Sequence, residues 1–137
     1  MSHAHNRSMP SSTVIPVLSY PDVRAAVAWL VQAFGFVETL RIGDHRSQLA
    51  FGDGAVVVTG GADATLDGGG HSIMVRVTDA QAHHDRARAA GAQVSGPPTD
   101  HVYGERQYSA IDIGGHFWTF SQTIADVDPA DWGGVAG

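Results

Sequence analysis

The chain contains no cysteine and no lysine. Without cysteine there is no disulfide framework, no thiolate zinc site and no cysteine nucleophile. Without lysine there is no Schiff-base chemistry and no phosphate-loop lysine. Positive charge is scarce altogether. Eight arginines face 14 acidic residues, a net charge of −6 with histidine neutral. A nucleic-acid partner needs a basic face to displace counterions, so none is expected. Long apolar runs are missing too. The longest, Ala25 to Val31, falls far short of the roughly 20 residues that cross a bilayer, so no membrane partner is expected. The first thirteen residues are polar and lack an apolar core, which speaks against a secretory leader and makes the cytoplasm the default location.

What is present describes one globular domain. There are 137 residues, 43% hydrophobic and 16% charged, enough to bury a real core in a single unit. Residues 1–13 are expected to be an arm outside the fold, 14–125 the domain and 126–137 a tail in which Trp132 is a packing anchor. A strand begins at Val14, with Pro16 marking an edge position. Asp22 caps a helix in which Val23, Val27, Leu30, Val31 and Phe34 form an amphipathic stripe, and Gly35 ends it. Strands follow over Phe36–Ile42, Ser47–Phe51 and Ala55–Thr59, the last two joined at Asp53-Gly54. Gly60 to Gly70 is a Gly, Ala, Asp and Thr connector.

The pattern then restarts. Ser72–Val77 alternates as a strand, Asp79 caps a weak helix over Ala80–Ala90, and Gly91 ends it. Gln93-Val94 opens another strand, and Glu105–Ile111 and His116–Ser121 are the last two. Asp22 matches Asp79, Gly35 matches Gly91, and Gly54 before a strand matches Gly115 before a strand. Two modules, 14–60 and 71–122, each run strand, helix, three strands. Such a repeat implies that neither half buries its sheet alone.

Two strand-helix-three-strand modules of this length resemble the glyoxalase and bleomycin-resistance proteins, the vicinal oxygen chelate superfamily. The resemblance spans Val14 to Gln122. It is sharpest at Tyr103-Gly104-Glu105-Arg106 and at Asp112-Ile113-Gly114-Gly115-His116-Phe117-Trp118, where Ile113 replaces a usual proline; Ala33-Phe34-Gly35-Phe36 adds to it. It implies an α+β fold of two βαβββ modules with curved mixed sheets, a ligand cup built from paired modules, and a homodimer.

The superfamily's enzymes hold a divalent metal with side chains from the first and last strands of each module. Aligned on the capping aspartates and on Gly54 and Gly115, those positions here are Ile15, Ser72, Val58 and Thr119. Aliphatic side chains cannot ligate, and hydroxyls are poor ligands without carboxylates, so no cofactor is expected. His71 and His116 lie one residue off the implied register, and a slip of one turns a side chain to the other face. His71 is expected at a solvent-side strand start and His116 as a packed, hydrogen-bonded residue. His83 and His84 are adjacent on the weak helix, point roughly 100° apart and are expected on a solvated face.

Strand alternation sorts the cup's lining. With Ile15, Val58, Ser72 and Thr119 facing the cup, Val17, Ser19, Met74, Arg76, Phe117 and Ser121 face it as well. Leu18, Val75, Val77, Trp118 and Phe120 then pack on the helices. Ser19, Ser72, Met74, Arg76, Tyr103, Phe117 and Thr119 are the expected ligand-binding residues. A buried Arg76 would need a carboxylate or phenolate partner on the ligand. Glu105 is the weak candidate for a catalytic base, its structural reading being an ion pair with Arg106. The composite suggests a small-molecule binder whose cup takes a largely apolar or aromatic guest without metal, as bleomycin-resistance proteins do. The alternative is a metal-dependent enzyme of the same superfamily, a lyase, isomerase or dioxygenase.

Overall fold

The structure is a computed structural model that describes residues 6–61 and 71–135. Most of the expected connector, 62–70, lies outside the described residues, as do residues 1–5 of the expected arm. The first module comprises β1 (Val17–Tyr20), α1 (Val23–Phe34), β2 (Val37–Ile42), β3 (Arg46–Phe51) and β4 (Gly54–Gly60). The second comprises β5 (Ile73–Arg76), α2 (Ala80–Ala89), β6 (Gln93–Val94), β7 (Thr99–Asp100), β8 (Glu105–Ile111) and β9 (Phe117–Thr123). A short 3-10 turn follows at Pro129–Trp132. Two mixed sheets result, ordered β1-β4-β3-β2 and β5-β9-β8-β6, with β7 pairing β8. The fold is α+β. No helix among the described residues is long and apolar enough to cross a membrane.

Local chemistry explains the boundaries. Pro16 has no N–H for a ladder, and β1 starts just after it, three residues later than the β-prone run at Val14 suggests. Asp22 accepts the N–H of Ala25 at 3.1 Å, and Asp79 accepts that of Ala82 at 3.0 Å, so each helix begins at its capping carboxylate. Gly35 ends α1 at φ 86°, a conformation costly for any residue with a Cβ. The turn between β3 and β4 places its positive φ on Gly52 rather than Gly54. The two-residue β7 has no counterpart in the sequence reading, because its ladder depends on the distant Arg106 and Gln107.

Both sheets turn one face to a shared core. Leu18, Val56, Val58 and Leu49 of the first sheet join Val77, Tyr108, Trp118 and Phe120 of the second, with Val27, Leu30 and Phe34 of α1 between them. Each such aliphatic or aromatic side chain contributes about 1.5–3 kcal/mol by leaving water. α2 brings Ala80 and Ala87 to this core, with the His83 ring against Phe120. The ladder pairs Val17 with Val57 and Leu18 with Val58. Val58 therefore lies in the core and Val57 on the outward face, a correction to the expected register. The cause is turn length. Asp112 to His116 forms a five-residue turn between β8 and β9, against two residues between β3 and β4. Gly115 thus sits inside its turn, and His116, not Gly115, is the counterpart of Gly54.

One junction between the modules is closed by a buried carboxylate. Asp112 is 6% exposed and accepts four hydrogen bonds. Tyr20 Oη donates at 2.5 Å, and Trp118 Nε1, Gly114 N and His116 N each at 2.9 Å. His116 Nε2 donates to the Ser19 carbonyl at 2.8 Å, so this histidine is packed and bonded as expected. Burial, reinforced by Asp112, pushes the Tyr20 phenol far above its ordinary pKa. A Cβ on Gly114 would sit 2.3 Å from the Tyr20 ring, which is why glycine stands there.

Candidate functional site

The side chains of the second sheet that turn away from the core form the candidate site. The period of two along β8 selects Glu105, Gln107, Ser109 and Ile111. Their ladder partners on β9 are Thr123, Ser121, Thr119 and Phe117. β5 adds Met74 beside Thr119 and Arg76 beside Ser121. Between β8, β9 and β6 lies a pocket of about 480 Å3, lined by Ser72, Ser95, Ser109, Ile111, Phe117 and Thr119. An apolar floor ringed by hydroxyls suits a neutral guest with a few hydrogen-bonding groups.

Beyond the pocket runs a hydrogen-bonded ladder. Tyr103 Oη donates to Gln107 Oε1 at 3.0 Å, and Gln107 Nε2 donates to Ser121 Oγ at 2.9 Å. Ser121 Oγ then donates to Glu105 Oε1 at 2.5 Å. Ser109 and Thr119 share a hydroxyl contact of 3.0 Å. Hydrogen bonds from Ser121 and Thr123, with the charge of Arg76 adding to them, hold the Glu105 carboxyl below its usual range. A carboxylate so stabilised is a weak base, and among the described residues no partner is placed to make it a catalytic one. Glu105 does not pair with Arg106. That guanidinium bonds Asp100 on β7, at 2.6 Å from its Nε, because residues adjacent on a strand point to opposite faces.

The structure divides the expected ligand residues. Ser72, Phe117 and Thr119 meet in the pocket. Met74, 63% exposed, and Arg76 lie on the β5 edge and line a second cavity. Arg76 is exposed rather than buried, so it demands no counter-ion. Tyr103 reaches the ladder from the loop before β8 and packs against His101 and Trp132, with ring centroids 5.1 and 5.5 Å away. Ser19 belongs to the other sheet. Gln107, Ser109 and Ser95 are lining or ladder residues that the sequence reading omitted. Alternation counted along Glu105–Ile111 would have found the first two.

His83 and His84 are not on a solvated face. His84 is 4% exposed. His83 Nε2 donates to the Phe34 carbonyl at 2.8 Å, which leaves Nδ1 to accept from Tyr108 Oη at 2.5 Å. Its ring lies 4.2 Å from that of Phe120. Desolvation lowers the His83 pKa and raises that of Tyr108. His83 meets α1 through Phe34 and His84 meets the sheet through Tyr108, contacts that helix periodicity within α2 alone does not reveal.

A divalent ion does not fit the positions that would hold one. In the observed register these are Ile15, Val57, Ser72 and Thr119, two aliphatic side chains and two hydroxyls. Among the described residues no three His, Asp or Glu side chains converge as a chelating group.

Comparison with known proteins identifies the family and the fold. Residues 13–120 match the family described as the glyoxalase/bleomycin resistance protein/dioxygenase superfamily. The crystal structure of TioX from Micromonospora sp. ML1 is 36% identical with a TM-score of 0.69, the match covering 82% of this chain and 99% of that one. An uncharacterized protein of Mycobacterium tuberculosis (strain ATCC 25618 / H37Rv) is 29% identical over 82% of this chain and 75% of its own. The bleomycin-binding protein of Streptomyces verticillus, solved with copper(II)-bleomycin, is 22% identical with a TM-score of 0.62 over 78% of this chain and 92% of that one. At that identity the likeness is one of fold.

Proposed function

The chain belongs to the glyoxalase/bleomycin resistance protein/dioxygenase superfamily, and we propose that within it this protein is a cytoplasmic small-molecule binder rather than a metal-dependent enzyme. The guest is a small, largely apolar or aromatic molecule held on the outward face of the second sheet. The observation that carries this reading is the pocket of about 480 Å3, where Phe117 and Ile111 offer apolar surface and Ser72, Ser95, Ser109 and Thr119 offer hydroxyls. The donor set around it is suited to orienting a guest and unsuited to proton abstraction or ion binding.

A homodimer completes the reading. Val17, Val37 and Met74 lie on outward sheet faces and are 55%, 62% and 63% exposed. A second copy laid over these faces removes that apolar surface from water and turns an open face into a cup. A metal-dependent lyase or dioxygenase is the competing assignment, and it requires an ion.

Thermal-shift screening of small aromatic compounds, with light scattering for mass and elemental analysis for metal, tests the proposal. A melting temperature that rises with a guest, ignores EDTA and loses the guest effect in Thr119→Trp is the expected result. Purified protein carrying a stoichiometric transition ion, and melting lower once it is removed, overturns it.

A further inference from the structure

The larger cavity, about 810 Å3, lies at the other junction between the modules; it borders the cup at Met74 and Arg76 and meets the smaller pocket at Trp118. Its origin is legible by superposing the two modules through their ladders. The register equates Tyr20 with Val77, Asp112 with Phe51, His116 with Gly54, and Trp118 with Val56. The first member of each pair builds the hydrogen-bonded closure around Asp112. All four second members line the cavity. A phenol, an imidazole and an indole on one side are thus answered by two valines and a glycine on the other. What one junction fills with its own rings, the other leaves open.

The walls of this space are aromatic and its edge is polar. Phe36, Phe51, His83 and Trp118 line it. Along one side runs β5, whose only ladder partner among the described residues is β9. The Val77 N–H bonds the Ser121 carbonyl at 3.0 Å. Main-chain groups alternate sides along a strand, so those of Met74 and Arg76 point away from β9, along the free edge. Asp53 and Asp79 are balanced by Arg76 and Arg86 in its lining, which gives no preference for a charged guest. The volume falls within the roughly 300–1,000 Å3 usual for ligand sites.

We propose that this junction is a second binding site, distinct from the pocket between β8, β9 and β6, for a neutral planar aromatic molecule carrying an adjacent acceptor and donor, such as a bicyclic lactam or aromatic amide. Its ring takes the place that Tyr20 and His116 occupy at the closed junction. Its C=O and N–H pair with the free β5 edge as an added strand would. The assignment does not rest on the cup's occupancy.

The test uses isoindolin-1-one as the probe and the full chain labelled with nitrogen-15. Saturable amide shifts at Met74, Val75, Arg76 and Ala82 are expected. The N-methyl analogue, which lacks the donor, should bind about five- to tenfold more weakly. Ala82→Trp and, independently, Thr78→Trp place an indole at the mouth from exposed positions and should abolish the shifts while leaving the rest of the spectrum unchanged. Shifts confined to Ser72, Ser109 and Thr119, equal binding of the N-methyl analogue, or indifference to both tryptophans overturns the proposal. So does a spectrum in which the β5 amides respond to protein concentration and not to probe, since a second copy would then cover the edge.

Discussion

The two junctions between the modules are images of one another and have opposite contents. At one, Tyr20, Asp112, His116 and Trp118 close the space with a carboxylate that accepts four hydrogen bonds. At the other, Val77, Phe51, Gly54 and Val56 leave about 810 Å3 open. A duplicated fold needs only one closed junction to hold its halves together. The backbone repeats while the side chains diverge, and the second junction becomes free to do something else. The helices carry the remaining linkage. Trp29 Nε1 donates to the Ala90 carbonyl at 3.2 Å, and Arg86 Nε donates to that of Gln32 at 2.9 Å.

The sharpest way to break the contrast is Asp112→Ala. It strands four buried donors at the closed junction, and urea unfolding should show a loss of about 3–5 kcal/mol. A loss under about 1 kcal/mol would mean that the carboxylate does not hold the modules. Tyr20→Val makes the closed junction resemble the open one. Removal of a buried ring costs about 2–4 kcal/mol, and partial relaxation around the void sets where in that range it falls. The reciprocal change, Val77→Phe, adds a ring where space already exists. It should alter stability by less than about 1.5 kcal/mol in the same assay, and a larger loss would show that the open junction is not spacious enough for a ring.

The smallest effect concerns His83, which lines the open junction. Its folded pKa lies below the ordinary value near 6.5 because burial disfavours the imidazolium. The unfolded chain therefore binds more protons between the two values. Stability contributed by His83 is complete above about pH 6.5 and is lost as pH falls towards the folded pKa. Melting temperature measured from pH 7.5 to 5 should decline less steeply in His83→Gln than in the parent. Parallel curves would assign the decline to other groups.

Much of the fold was legible because its signals are local. The Asp22 and Asp79 caps, the stripe along α1 and the alternation of Glu105–Ile111 each depend on residues within a few positions of one another. The outward face of β5 and β9 followed from the same alternation, so Met74, Arg76, Phe117, Thr119 and Ser121 were placed on the correct side. Errors arose where a long-range partner decides. Equating Gly54 with Gly115 turns Val58 to the cup, and only the ladders reveal that the second turn is longer. Arg106 finds Asp100 through β7, a two-residue strand with no pattern of its own. His83 is covered by Phe34 of α1, some fifty residues earlier in the chain, and His84 packs on Tyr108 of β8.

The order of elements, the duplication and the face of each strand reside in the sequence itself, since capping, periodicity and turn chemistry act between neighbours along the chain. Register between strands, the packing of α1 against α2 and the difference between a filled and an open junction do not. They depend on which distant side chains compete for the same volume, and that competition exists only once the two modules share a core.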